Sequence, residues 1–307
     1  CDQYPRVTRR IDGLPEMALI LACPEAARLV LLNPCLLPEL AAEGPSRYQP
    51  FLHATEEPVR VSGNPYQFLW EIRSFTARLL TDRTYPLWQR IFLLGMFSRR
   101  LREITVVGQL ELVPRVLCEY AELITTERLR PAMDGIPLRS AQQLAAVIEI
   151  LNCHLTTVDP SHVRLRECVR DFLQGIRWDD RTGIEGAAIA YERACNHYYL
   201  PFMQQRPHLL ENYLLNHVFR TRFPYGCDLQ GNPHDVVTEY LLMCVLFACI
   251  KGLLIGTAGH CGESFGEPHV IKVVQSFAKA VEQSPKFVLS RYGGFADADG
   301  MALLLKN

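Results

Sequence analysis

Twelve side chains able to hold or orient a small polar or cationic ligand crowd into residues 191–225: Tyr191, Cys195, His197, Tyr198, Tyr199, Phe202, His208, Tyr213, His217, Phe219, Phe223 and Tyr225. Aromatic faces attract sulfonium and alkylated ammonium cations, and Asn carbonyls or Tyr hydroxyls orient an amine. A helix expected over 207–222 puts Asn212, Asn216 and Arg220 at i, i+4 and i+8, so they form one polar stripe with Tyr213 and His217 beside it. For any one of these residues, a place on a solvated stripe next to an aromatic core face is the simpler reading. Together they make the densest candidate site in the chain.

A second candidate lies at the start. Val7-Thr8-Arg9-Arg10-Ile11 alternates, Asp12-Gly13 is a two-residue turn signal, and Met17 to Leu21 supplies a return strand, so a β-hairpin is expected. With the turn centred on Asp12-Gly13, Ile11 faces Leu14, Cys1 falls opposite Pro24, and Cys23 opposite Asp2. The thiols of Cys1 and Cys23 then lie diagonally across the open end, about 5–8 Å apart, within reach of one metal centre. Pro5 and Pro15 cannot donate to a ladder and belong at an edge or a bulge.

The other motifs are bland. There is no Gly-x-Gly-x-x-Gly after a strand, no Walker loop, no His-Glu-x-x-His and no Gly-x-Ser-x-Gly. Gly256, Gly259, Gly262 and Gly266 follow a helix, so they read as a C-cap and connector. Cys195-x-His197 and His260-Cys261 lack the usual zinc spacing, and Cys244 and Cys249 read as core thiols.

The elements that must position these groups are helical from Pro24 onward. A short helix over 24–32 is followed by a connection over 33–63 rich in Pro, Gly and polar residues, with a short strand at Val59 to Val61. Helices are then expected at 65–81, 86–109, 112–128, 138–156, 161–176, 184–204, 207–222, 235–257, 267–283 and 297–305. Pro65, Pro86 and Pro207 mark first helical positions, and Ser161 an N-cap. Tyr240 to Ile255 is apolar except for Lys251 and is shorter than the ~20 residues of a spanning helix, so it is expected to be a buried core helix. Gly252 and Gly256 at i, i+4 let a neighbouring helix approach it closely. The expected fold class is mainly α, an irregular multi-helix bundle with a small N-terminal β-hairpin and irregular segment. Its expected division is a connector region over 1–63 and an all-α domain over 64–307.

The 307 residues, 49% hydrophobic and 21% charged, suit a soluble globular protein and exclude disordered or fibrous classes. Thirty-two Lys and Arg against 33 Asp and Glu leave a net charge of −1, so nothing in the overall electrostatics calls for nucleic acid or an anionic membrane. Eleven cysteines, an odd number spread over the whole length, point to free thiols in a reducing compartment, and a cytoplasmic location is expected. Cys1 stands in a polar run with no initiator Met, and the chain reads as a fragment.

Three strings carry a resemblance. Cys1-x-x-Tyr4-Pro5-Arg6 followed by Leu21-Ala22-Cys23-Pro24-Glu25-Ala26-Ala27-Arg28-Leu29 resembles the bacterial flagellin lysine N-methylase family. Pro207-His208-Leu209-Leu210-Glu211-Asn212-Tyr213-Leu214-Leu215-Asn216-His217-Val218-Phe219-Arg220 with Phe223-Pro224, and Ile271-Lys272-Val273-Val274-Gln275-Ser276-Phe277, are similar to the same family. The resemblance implies methyl transfer from S-adenosylmethionine to surface lysines of flagellin, and a cysteine-rich N-terminal region associated with an iron–sulfur cluster. Only Cys1 and Cys23 match that cysteine pattern. A cluster takes about four thiolates, so the fragment alone is expected to hold no intact cluster and to be inactive.

A lysine ε-amine must be neutral to attack a methyl sulfonium, although its free pKa is about 10.4. For in-line transfer the expected orienting groups are Asn212, Tyr213 and Asn216; for a cluster-assisted radical route the expected ligands are Cys1 and Cys23. Flagellin is the expected partner and nucleic acid is not, while peripheral membrane association and oligomeric state are left open. Two other classes compete: a helical module that binds flagellin or another exported protein without chemistry, and a metal-binding redox protein.

Overall fold

The computed structural model describes residues 4–11, 14–36, 56–57, 65–155, 161–179, 181, 183–226, 234–283 and 298–306. The chain is mainly α with a small N-terminal sheet. Strands β1 (Arg6–Ile11) and β2 (Leu14–Leu19) pair antiparallel, Ile11 opposite Leu14 and Arg6 opposite Leu19, which is the register set by the Asp-Gly turn signal. The main-chain N–H of Ile20 donates to the Pro5 carbonyl at 2.8 Å and continues that register by one pair. Pro15 is accommodated because β2 is an edge strand in the order β2-β1-β3. Strand β3 (Glu56–Glu57) runs parallel to β1 against Arg10 and Ile11. The strand expected at Val59 to Val61, the Asp12-Gly13 turn, Cys1 and the 63/64 boundary lie outside the described residues.

Thirteen α-helices follow among the described residues: α1 (Pro24–Leu31), α2 (Leu69–Thr81), α3 (Leu87–Val106), α4 (Val113–Thr125), α5 (Arg130–Asp134), α6 (Ser140–Leu155), α7 (Val163–Gly175), α8 (Gly183–Ala194), α9 (Leu200–Gln205), α10 (His208–Thr221), α11 (Val236–Cys261), α12 (Glu267–Phe277) and α13 (Ala298–Leu305). The helical periods place all of them except the one-turn α5, and they run α8 and α9 together. Between those two, Cys195–Tyr199 is a π turn in which the Leu200 N–H reaches back to the Cys195 carbonyl. Pro201 gives the physical reason: it has no N–H for the carbonyl four residues back and its ring crowds that carbonyl, so a wider turn relieves the conflict.

The chain forms two compact units. In the first (residues 1–20, 33–135 and 211–240), α2, α3 and α4 pack around Phe75 and Phe97, whose rings lie 4.6 Å apart, with Tyr120 on the far side of Phe97 at 5.5 Å. The Tyr85 hydroxyl donates to the Ile124 carbonyl at 2.8 Å, and the Tyr240 hydroxyl to the Ile91 carbonyl at 3.0 Å. Tyr240 fits only because residue 95 is Gly, where a Cβ would stand 2.3 Å from the Tyr240 oxygen.

In the second unit (residues 21–32, 136–210 and 241–307), the apolar body of α11 is the axis. Val236–Ser264 is long and apolar enough to cross a membrane, with a mean hydropathy of 2.2, yet 94% of its most apolar window is buried, as the core-helix reading expects. Gly252, Gly256 and Gly259 open one side of α11 to close approach by Val147, Phe172 and Gly175. Gly256 and Gly259 are therefore packing positions inside the helix, which corrects their reading as a connector; Gly262, at φ +57°, is the residue that ends it. Helix α13 is held by its C-terminal carbonyls. Gln143 Nε2 donates to Leu303 and Lys306, and Lys251 Nζ to Leu305 at 2.8 Å and Lys306 at 3.2 Å.

Gly175→Ala tests the helix crossing. Its Cβ would stand 1.8 Å from the Gly256 carbonyl oxygen, backbone against backbone, so α7 must move away from α11. The expected loss exceeds the 1–3 kcal/mol typical of an overpacked side chain, as a fall in the urea midpoint. A midpoint equal to wild type would show that the crossing has slack.

Candidate functional site

The expected site residues sit on α10, where Arg222 in the left-handed region at φ 64° follows the helix end. The stripe is not solvated: Asn212, Tyr213, Asn216 and His217 are all buried, and only Arg220 at its end is half-buried. The carboxamide of Asn216 donates from Nδ2 to the Leu19 carbonyl at 3.0 Å and accepts from the Leu19 N–H at 3.4 Å, so it serves the end of β2 as a neighbouring peptide would. Asn212 Nδ2 donates to the Asn33 carbonyl at 2.6 Å. Both amides are thus engaged with main chain, and in this geometry they position the hairpin and the residue 33 turn.

Around this helix two sets of ion pairs form. Glu211 Oε1 accepts from Arg90 Nη1 at 2.7 Å, and Oε2 from Arg83 Nη2 at 2.8 Å. Arg90 also donates to the Tyr85 and Leu80 carbonyls. Arg73 forms two bonds to Glu16 on β2, at 2.6 and 3.1 Å, and a third to the Phe219 carbonyl, with its guanidinium 5.2 Å from the Phe219 ring centre. His217 stands apart: neither ring nitrogen has a hydrogen-bond partner, and burial, followed by the Arg220 charge, pushes its pKa down to about 3.

Sequence reasoning gave no role to a pair at the start of α11. Asp235 caps that helix, accepting from the Val237 and Thr238 N–H groups at 2.9 and 3.2 Å. On its two sides, His234 Nδ1 meets Glu239 Oε1 at 2.5 Å. Glu239 is buried while His234 keeps 21% of its side chain exposed.

In the second unit, Lys251 is wholly buried on α11 beside Cys195 of the π turn. Burial brings the Lys251 ammonium down to about 7, opposed by the thiol, and raises Cys195 to about 11, opposed by the lysine. Tyr191 and Tyr199 flank Cys195 with their hydroxyls raised by the same burial, and Tyr191 Oη lacks a hydrogen-bond partner. The aromatic-rich run 191–225 therefore divides, residues 191–210 belonging to the second unit and 211–225 to the first. Of the expected cysteine pair, Cys23 is a half-buried free thiol at the N-cap of α1, making no side-chain cap bond. Among the described residues no three His, Cys, Asp or Glu side chains come together in a way that could hold a metal ion.

Asn216→Ala is expected to cost about 1–3 kcal/mol, because the Leu19 N–H and carbonyl lose their shared partner. Urea unfolding measures it, together with hydrogen exchange at Leu19. Unchanged protection at Leu19 would mean that the amide is not holding the strand.

A largely helical body with buried ion pairs and without a nucleotide loop defines a class of helical domain rather than a particular enzyme. The family model for the FliB lysine N-methylase C-terminal domain matches residues 73–305, and the chain belongs to that lysine N-methylase family. No curated protein and no solved structure matches it.

Proposed function

We propose that this protein is a protein-lysine N-methyltransferase that moves the methyl group of S-adenosylmethionine to surface lysines of flagellin. The observation that carries this reading is the family match over residues 73–305, which covers nearly all of α2 to α13. The amine must first lose its proton, and its nitrogen lone pair then takes the methyl from sulfur. An iron–sulfur cluster completed by upstream cysteines belongs to the same reading, with Cys1 and Cys23 as this chain's contribution. Among the described residues no three metal-ligating side chains come together, so these residues do not by themselves fit such a cluster. No step of the transfer is therefore routed through it.

The test is transfer of labelled methyl from S-adenosylmethionine to purified flagellin by the full-length protein, reconstituted anaerobically with iron. Label on flagellin lysines is expected. Flagellin binding without transfer would instead favour the helical binding module. Iron counts on Cys1→Ser and Cys23→Ser decide the cluster assignment: iron and activity should fall together, and their joint survival would make both cysteines packing residues.

A further inference from the structure

Part of the aromatic run that the sequence crowds into 191–225 meets a cation and a carboxylate in the second unit. The guanidinium of Arg206, at the end of α9, lies 4.6 Å from the centre of the Phe202 ring, and its Nε donates at 2.9 Å to Oε1 of Glu267 in the first turn of α12. Phe265 stands edge to face with Phe202, ring centres 5.0 Å apart, and His269 stacks on Phe265 at 5.9 Å and an interplanar angle of 21°. The Gly266 N–H donates to His269 Nδ1 at 3.1 Å and holds that ring in place. These are the parts a side-chain ammonium needs: a π face to lie on, further aromatic surface for its stem or for attached methyl groups, and a carboxylate oxygen to accept its N–H. An anion is not the fitting ligand, because Glu267 already supplies negative charge to the start of α12. The cation now present belongs to the chain itself and is loosely held. Arg206 keeps 35% and Glu267 41% of its side chain exposed, and so open an ion pair contributes little, since water solvates both partners when it parts. The buried pair of Arg90 with Glu211 cannot be entered in this way. Arg206 can turn outward and leave Phe202 and Glu267 to a cation from outside.

We propose that Phe202, Phe265 and Glu267 form a subsite for a basic side chain of the protein substrate, a lysine or a methylated lysine, which Arg206 occupies as an internal mimic until the substrate displaces it. This deepens the methyl-transfer reading above and rests on it. No covalent bond changes at the subsite. The incoming ammonium exchanges part of its hydration for the Phe202 face and the Glu267 carboxylate, while the Arg206 guanidinium returns to water. The three residues bind substrate in this scheme, and Arg206 sets how much of the protein is open to it.

The experiment is ligand-observed NMR on the full-length protein, with thermal unfolding as the control for each variant. The probes are the Nα-acetyl methylamides of lysine, of Nε-trimethyl-lysine and of norleucine, the last being uncharged. Both cationic probes are expected to bind and the norleucine probe is not. Arg206→Ala should tighten the cationic probes by about 10-fold, because the internal competitor is gone, and Phe202→Leu added to it should take that gain away. Glu267→Gln should weaken the lysine probe by about 5-fold or more, since the charged acceptor is lost. A clasp with a structural role alone would not bind a cation more tightly when its arginine is removed. Equal binding of the norleucine probe, or an Arg206→Ala protein that binds the lysine probe no more tightly than wild type, overturns the proposal. So does a gain that survives Phe202→Leu, which would mark general attraction to the bared carboxylate. Methyl transfer is measured separately. A wild type that binds the probes as expected yet leaves flagellin unlabelled removes the methyl-transfer reading and the substrate assignment with it, whereas labelled flagellin with an indifferent Arg206→Ala removes the subsite alone.

Discussion

Glu211→Gln should destabilise the first unit by about 3–5 kcal/mol, the cost of removing one partner from a buried ion pair. The substitution keeps the shape of the side chain and removes the charge on which two guanidinium groups converge. They are not equivalent. Arg90 is buried, and without the carboxylate its cation would be left with the Tyr85 and Leu80 carbonyls alone. Arg83 is 52% exposed and can turn to water, so Arg83→Gln should cost only about 0–1 kcal/mol, as exposed pairs do. The pair also predicts a rescue. Removing both charges, as Glu211→Gln with Arg90→Met, should restore much of the loss, because the penalty lies in the stranded cation rather than in a missing contact. Urea midpoints of wild type, Arg83→Gln, Arg90→Met, Glu211→Gln and the double variant measure it. Equal losses for Arg83→Gln and Glu211→Gln, or a double variant worse than the sum of its parts, would show that the centre works in another way.

The same contrast between exposed and buried partners explains what was legible in the sequence. Helices α2 to α4, α6, α7 and α10 to α13 follow from apolar period and from prolines at their starts. The hairpin register follows from Asp12-Gly13, because one turn centre fixes every later pair. The polar stripe on α10 was visible as spacing, but not its surroundings. The groups that bury it lie far away in sequence, Leu19 being 197 residues from Asn216 and Asn33 179 from Asn212, and no local pattern records such a meeting. Lys251 was visible as the one charge in an apolar run, yet its partners come from a helix some fifty residues onward. Pro201 was also in plain view inside a helical pattern, and the rule that Pro breaks the ladder would have placed the π turn. The pairing of His234 with Glu239 had the weakest signal, since i, i+5 residues share no helix face and His234 precedes the helix that carries Glu239.

His217 gives the clearest dependence on pH. In the folded protein burial holds its pKa at about 3, whereas an exposed histidine titrates near 6.5. Above pH 6.5 both states are neutral at this site and its titration contributes nothing to the pH dependence of stability. As pH falls below 6.5 the unfolded chain takes up a proton that the folded protein refuses, so stability drops until pH approaches 3, where the folded form also titrates. The total for this one group is about 5 kcal/mol, at a slope near 1.4 kcal/mol per pH unit within the window. Carboxylates add their own acid sensitivity, so the comparison must be made with a variant. His217→Leu has a similar volume and removes two ring nitrogens that have no partners, and at pH 7 it should be close to neutral in stability. Its stability should then fall less steeply than that of wild type from pH 6.5 downward, and the two curves should diverge by about one proton's worth per unit. Urea midpoints at pH 7, 5.5 and 4.5 suffice. Parallel curves would mean that His217 meets its proton as easily in the folded state as in the unfolded one, and so that the ring is not sealed from water.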